Sequence, residues 1–536
     1  MGFVNTNLLS LITFLPLVGM VLVMLVPSQH KKLIQWGSVA FSLLPLGLAF
    51  YAWAAYDNTK GGFQFVEQAA NWFPQINATY KVGIDGISLP LLVLNAFLTP
   101  LAMIISMSIE KAIKPFYALL FLFETATAGV FVSVDLVLFF FFYELTLVPM
   151  FFLINQWGGA NRRYASMKFF IYTLFAGLAM LLATQVIGLA SGSFDLEYLF
   201  SQVGRPFVGN NTVNMLFGDP NTWKGVAFFS FALAFALKIP VFPLHTWLPD
   251  AHTEAPTGGS MLLAGIMLKL GGYGFLRIVL PLFPDTSAQF AWVIALLGML
   301  SIVLGAVAAW GQTDFKKLVA YSSINHMGFV ALGIAAVAAL MGGAAHAEGA
   351  EHLGATALQS AAIASNGAVL QMVTHGLSSA AMFAVVGVIY DRAHTRDLNR
   401  FGGLWDIMPK YGAILIFCAM GSLGLPGLAG FVSEFMVMRG AWSGFTVYTV
   451  LSMAGLLITG IYVLKSIQKV LYGPLAHEWE HHPLSDINWR EVLGIAPLMI
   501  AMLILGIYPT FLVNLINTGT VRLLDLASKT LEAVVR

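Results

Sequence analysis

Apolar runs of about twenty residues, separated by short polar connections, repeat from one end of the chain to the other. A helix needs about 20 apolar residues to cross the hydrocarbon core. Windows of that size place fourteen segments, at roughly 4–26, 34–55, 85–107, 115–133, 135–156, 165–190, 224–246, 258–280, 289–310, 314–340, 359–390, 411–438, 444–472 and 492–516. The pattern predicts an all-α polytopic membrane protein. Segment 1 is too long for a signal peptide and lacks a small-residue cleavage site, so it is expected to remain as a span. The longer connections are 56–84, 191–223 and 341–358, and none is expected to hold a soluble domain. The closing LVNLINTGTVRLLDLASKTLEAVVR predicts a short amphipathic helix at the membrane surface.

Two segments are interrupted. Segment 7 reads FALAFALKIPVFPLHTWLPDAH, where Pro240, Pro243 and Pro249 each remove a backbone donor and clash with the preceding turn. Segment 12 reads MGSLGLPGLAGFVSEF, with Pro426 between Gly424, Gly427 and Gly430. Backbone groups freed at membrane depth are tolerated where they are buried in protein or line a wet cavity. Two breaks five segments apart point to inverted five-helix repeats, segments 4–8 and 9–13. The expected organisation is 1–110 for three leading helices, 111–285 and 286–473 for the repeats, and 474–536 for the last helix and tail.

Composition agrees and narrows the chemistry. Of 536 residues 58% are hydrophobic and 10% charged, against about 25% charged in soluble domains. A net charge of +1 argues against a nucleic-acid partner. One cysteine, Cys418, supplies neither a disulfide nor a cluster ligand set. No P-loop is present, and no GxGxxG falls between a strand and a helix. The chain is therefore expected to need no cofactor of its own, its work falling to protonatable side chains or a transported solute.

Lysine and arginine set the sidedness. With connections assigned alternately, sixteen of the 27 basic residues, from Lys31 and Lys32 to Arg490 and including Lys316, fall on one side. Nine fall on the other. The richer side is expected to face the cytoplasm, which puts both termini outside. Lys238 and Lys269 belong to neither side. They lie inside segments 7 and 8, where each charge costs about 2.5–3.5 kcal/mol on insertion scales and reads as functional.

Acids and imidazoles lie at similar depth. Glu144 falls in FFFFYELTLVPMFF and is expected to be buried opposite Lys238. At about 7 Å and an effective dielectric near 20 the two couple by roughly 2.4 kcal/mol, enough for a switch as well as a clamp. Lys269 is expected at the centre of an unbroken helix whose Gly265, Gly271, Gly272 and Gly274 admit neighbours. His326 and His375 sit mid-span on consecutive segments, near Ser322, Ser323, Thr374 and Ser378, which are expected to hold water. His245 follows the break in segment 7 and is expected to link Lys238 to the cluster Asp250, His252 and Glu254. Glu434 follows the break in segment 12 as an exit-side acid. Glu124, beside Thr125 and Thr127, reads equally as relay member or core acid. Asp85 and Asp135, at helix starts, are expected to be caps.

The stretches FFFFYELTLVPMFFLINQWGG, ALKIPVFPLHTWLPDAHTEAP, LLAGIMLKLGGYGFLR and LVAYSSINHMGF closely resemble the antiporter-like subunits of NADH:quinone oxidoreductase, respiratory complex I. The M, or chain 4, type is the best match, over nearly the whole chain. The resemblance implies fourteen helices with two inverted five-helix repeats. It implies an ion pair at Glu144 and Lys238, a central proton carrier at Lys269 and a terminal acid at Glu434. It also implies a hydrated connection through His245, His326 and His375. Glu124 and the loop 341–358 find no counterpart. L-type and N-type members and cation/proton antiporter subunits usually carry lysine where Glu434 stands, and the L type adds a long lateral helix. NAD, FMN, iron–sulfur clusters and quinone are implied for partner subunits, with L-type and N-type chains as membrane-arm neighbours in a bacterial plasma membrane. The function implied is proton translocation driven by electron transfer elsewhere in the complex. Two rivals are a cation/proton antiporter subunit and a membrane anchor of a related hydrogenase.

Overall fold

The computed structural model describes residues 6–202, 220–345 and 351–535. Twelve helices among them are long and apolar enough to cross a membrane. In chain order we label α1 (Leu8–Leu25), α2 (Lys31–Ala55), α3 (Ser88–Ile105), α4 (Ile113–Val132), α5 (Leu136–Trp157) and α6 (Arg162–Ser191). An interrupted pair follows, α7a (Pro220–Lys238) and α7b (Trp247–Glu254), then α8 (Thr257–Leu282), α9 (Pro284–Trp310), α10 (Phe315–Ala345) and α11 (Glu351–Ala393). The second interrupted pair is α12a (Pro409–Leu423) and α12b (Ala429–Ala441). The chain continues through α13 (Thr446–Leu471), α14 (Trp489–Ile507) and α15 (Thr510–Val535).

Burial sorts these helices. The spans of α3, α8, α10 and α11 are wholly or almost wholly enclosed, whereas α1, α2, α13 and α14 leave most of theirs on the outside. Glycine permits the close packing at the centre. A Cβ on Gly271 would strike the backbone of Phe235 and Ile239, and one on Gly272 would strike Met372. Thus α7a and α11 both close onto the helix that carries Lys269.

Both predicted breaks are present. α7a ends at Lys238, and the chain passes through Pro240 to the short turn Leu244–Thr246 before α7b begins. α12a stops at Gly424, whose φ of +81° is a left-handed cap that glycine adopts without a Cβ penalty. Two further irregularities were not expected. Lys269 does not sit in an unbroken α-helix, because π turns flank it at Leu263–Met267 and Phe275–Val279. α5 loses regularity at Thr146, two residues after Glu144, because Pro149 cannot donate to the carbonyl one turn back.

The connections also depart from the expectations. Residues 56–84 form an antiparallel hairpin of β1 (Gln64–Phe73) and β2 (Ala78–Ile84), so the chain is not purely helical. Glu67 on β1 accepts from the N–H of Leu9 at 2.6 Å and of Ser10 at 3.1 Å, capping α1. Lys81 on β2 meets Asp195 at 2.6 Å and Glu197 at 2.9 Å, tying the hairpin to the 191–202 segment. Most of the predicted loop 341–358 is helical, since α10 continues to Ala345 and α11 begins at Glu351; residues 346–350 lie outside the described residues. The closing helix is a 26-residue element, longer than the short one expected. It packs back on the bundle, where Thr520 meets Ser365 at 3.0 Å and Asn517 accepts from Asn366 at 2.9 Å.

Candidate functional site

The site is a line of titratable side chains held between α8 and α12b. The π turn before Lys269 shifts the backbone bonding and leaves the Ala264 carbonyl within reach of Lys269 Nζ, which donates to it. The same nitrogen lies 2.7 Å from His375 Nδ1 on α11. With lysine as the donor, His375 Nδ1 accepts and the ring proton sits on Nε2. That Nε2 is buried and has no protein partner among the described residues. It belongs to a ring 5.6 Å, centroid to centroid, from the ring of His326 on α10. His326 Nδ1 in turn lies 2.7 Å from Glu434 Oε1. All four residues are buried.

Polar neighbours hold the far end in place. Gln371, one turn before His375 on α11, donates to Glu434 Oε1 at 3.2 Å and accepts from Ser433 Oγ at 2.5 Å. Ser433 also meets Thr374 at 2.8 Å, and Ser422 lies 3.3 Å from His326 Nε2. The sequence reading did not single out Gln371, Ser422 or Ser433. The available signal was an amide inside an apolar helix at i−4 from a histidine, which helical geometry puts on the same face. The hydroxyls expected to hold water are largely committed. Ser322 and Ser323 donate to the Val319 carbonyl of their own helix, and Ser378 to that of His375.

Glu144 and Lys238 stand apart from that line. Lys238 is buried, and its Nζ lies over the Tyr143 ring, 4.7 Å from the centroid, in cation–π geometry. Glu144 is only half-buried in the isolated chain, contrary to expectation. Its carboxylate lies against Gly177 on α6, a spot a Cβ would fill. No ion pair within 4 Å joins the Glu144 carboxylate to Lys238 Nζ among the described residues, so the two do not form a direct clamp.

The remaining candidates separate. His245 stacks on Phe242 at 5.5 Å, with the Tyr321 ring 6.3 Å away, and among the described residues no contact joins it to Lys238 or to the Lys269 line. The expected cluster of Asp250, His252 and Glu254 does not form as a bonded unit. Asp250 pairs with Lys168 at 2.7 Å, Glu254 accepts from the Asn161 N–H at 2.9 Å, and His252 lies flat on Phe383. Glu124 is buried with neither carboxylate oxygen partnered among the described residues. Asp135 caps α5 through the N–H groups of Val137 and Leu138. Asp85 caps the start of α3 and also pairs with the buried Arg277 at 2.5 Å.

A helical bundle with two broken helices and an enclosed lysine–histidine–histidine–glutamate line defines a membrane subunit organised around protonatable groups. Residues 133–347 and 350–461 match the family model described as NADH:quinone oxidoreductase/Mrp antiporter, TM. The NADH-quinone oxidoreductase subunit M of Rickettsia conorii is 36% identical over 524 residues, covering 96% of this chain and 98% of that one. The subunit M of Rhodobacter capsulatus is 37% identical over 528 residues, covering 97% and 96%. Among solved structures, respiratory complex I from Thermus thermophilus with bound NADH contains a chain that superposes with a TM-score of 0.81 at 26% identity, covering 98% of this chain and 99% of that one. The chain belongs to the subunit M, or chain 4, branch of the NADH:quinone oxidoreductase/Mrp antiporter membrane family.

Proposed function

We propose that this chain is the M-type membrane-arm subunit of a proton-translocating NADH:quinone oxidoreductase, and that Lys269, His375, His326 and Glu434 carry the proton. The observation that carries the reading is the run of contacts from Lys269 Nζ to His375, across to His326, and on to Glu434 Oε1. A protonated Lys269 gives a proton to His375 Nδ1 while the Nε2 proton leaves toward His326. His326 then passes one to Glu434. Each imidazole accepts at one nitrogen and releases from the other, so the line resets by ring reorientation.

Glu144 and Lys238 act as the gate in this reading. A change in the position or charge of Glu144, which is half-exposed on the isolated chain, alters the field at Lys238 and through it the proton held by Lys269. Electron transfer takes place in other subunits, where NAD, FMN, iron–sulfur clusters and quinone belong. The neighbours are further membrane-arm subunits, including L-type and N-type chains. Moving each charge against the membrane potential costs about 2.3 kcal/mol per 100 mV. The breaks after Lys238 and before Glu434, five segments apart, support inverted repeats of helices 4–8 and 9–13. The excess of lysine and arginine on one side supports both termini lying outside, and the bacterial relatives support a plasma membrane.

Glu434→Gln tests the reading, because it keeps the shape and removes the ionisable proton. Reconstituted in the complete complex, the variant is expected to move fewer protons per electron than wild type. A wild-type ratio would exclude Glu434 as terminal acid. A gradient that depends on sodium would favour the antiporter alternative.

A further inference from the structure

The connection between α13 and α14 carries side chains that the relay line does not use. It holds a one-turn helix, His477–His481, with the sequence HEWEH. That is the H-E-x-x-H spacing, which on a helix brings two histidines four residues apart onto one face. The turn is fixed from its other sides. Trp479 is buried, stacks on Phe401 with ring centroids 6.0 Å apart, and donates from Nε1 to the Arg400 carbonyl at 2.8 Å. Glu478 accepts from Arg400 Nε at 3.1 Å and also pairs with Nη2 of the same guanidinium.

This anchoring leaves His477 and His481 exposed side by side. Their Nε2 atoms lie 3.4 Å apart, with ring centroids at 4.6 Å. The separation is longer than the roughly 2.7–3.2 Å of ordinary N–H···O bonds, so the two rings do not hold each other firmly. It does match a shared metal. An ion that binds two imidazole nitrogens at about 2.0–2.1 Å in tetrahedral geometry sets them about 3.3–3.4 Å apart. Charge on the turn favours a cation. Arg400 neutralises Glu478, whereas Glu480, exposed and three residues after His477, has no ion pair among the described residues.

We propose that His477 and His481 form a binding site for a divalent transition-metal ion of the zinc class. Each neutral ring gives the lone pair of Nε2 and keeps its proton on Nδ1. Imidazole nitrogens suit zinc, nickel and copper, whereas magnesium and calcium prefer oxygen. No third histidine, cysteine, aspartate or glutamate completes a ligand set among the described residues. Water therefore fills the remaining positions, and the ion exchanges with the medium. The site is not a hydrolytic centre. In that chemistry the glutamate of the motif is the general base, and here Glu478 is committed to Arg400. The site is separate from the Lys269 line and does not depend on how that line is read.

The test labels the complete complex with diethylpyrocarbonate, which modifies accessible imidazoles, and reads each histidine by peptide mass spectrometry. Labelling in metal-free buffer is compared with labelling in micromolar zinc. Zinc is expected to lower modification of His477 and His481 together, several-fold, while the exposed His30 reacts unchanged. Equal labelling of the pair with and without zinc overturns the proposal. So does equal protection by magnesium, which would mark a general charge effect. His477→Gln, an exposed substitution, is expected to abolish zinc protection at His481, and protection retained there overturns a shared site.

Discussion

Lys269 Nζ and His375 Nδ1 lie 2.7 Å apart with both residues buried, and the opposite nitrogen of the same imidazole, in a ring 5.6 Å from that of His326, has no protein partner among the described residues. One ring thus has a donor on one side and an open nitrogen on the other. That is the arrangement a proton-passing group needs. A histidine serving only to stabilise the core would have both nitrogens engaged.

A serial line predicts non-additive damage. His375→Phe and His326→Phe each keep a ring in place and remove the exchangeable nitrogens. Each single variant is expected to reduce protons moved per electron, and the double variant to do no worse than the more severe single. Independent contributions would add instead. The comparison is made by double-mutant cycle in reconstituted complex.

Lys238 over the Tyr143 face predicts a split between two substitutions. Tyr143→Phe keeps the ring face and is expected to pump at close to the wild-type rate. Tyr143→Leu removes a contact that is typically worth about 0.5–2 kcal/mol. It is expected to lower the pumping rate several-fold, as measured by the initial rate of gradient formation.

The outer hairpin gives a prediction in pH. Burial works to lower the Lys81 pKa, but hydrogen bonds and charge from Asp195 and Glu197 outweigh it and leave the value raised. A raised folded-state value means the stabilisation is fully present below the unfolded lysine value of about 10.4 and is lost as pH rises through the folded value. Lys81→Met is expected to melt a few degrees below wild type at neutral pH. The difference should shrink above about pH 10.5. Thermal unfolding of the purified complex, followed across that range, checks it.

The titratable residues stand out in the sequence because a charge inside an apolar run has no cheap explanation. Lys238, Lys269, Glu144 and Glu434 are all visible on that ground. Their pairing is not. Whether Lys269 meets His375 depends on the rotation of α8 against α11, which the contact of Gly272 with Met372 and the π turn before Lys269 set together. An isolated sequence carries no mark of a π turn. Lys238 and Glu144 illustrate the converse, since opposite charges at matching depth suggest a direct pair, yet the lysine rests on Tyr143 while the glutamate turns toward Gly177. The hairpin stayed hidden because QFVEQAANWF mixes polar and apolar positions without regular alternation, and its register shifts at two places. Lys316 reads in the sequence as a cytoplasmic charge in a connection because it stands at a helix start, yet it is buried and donates to the Ala255 carbonyl at the end of α7b.

The most direct measurement is the number of protons moved per electron by the assembled complex carrying Lys269→Met, compared with wild type in the same vesicles. Methionine fills the volume of the lysine chain and removes the exchangeable nitrogen. The ratio is expected to fall, with the complex still assembled. A wild-type ratio from an assembled Lys269→Met complex would contradict a proton path through Lys269.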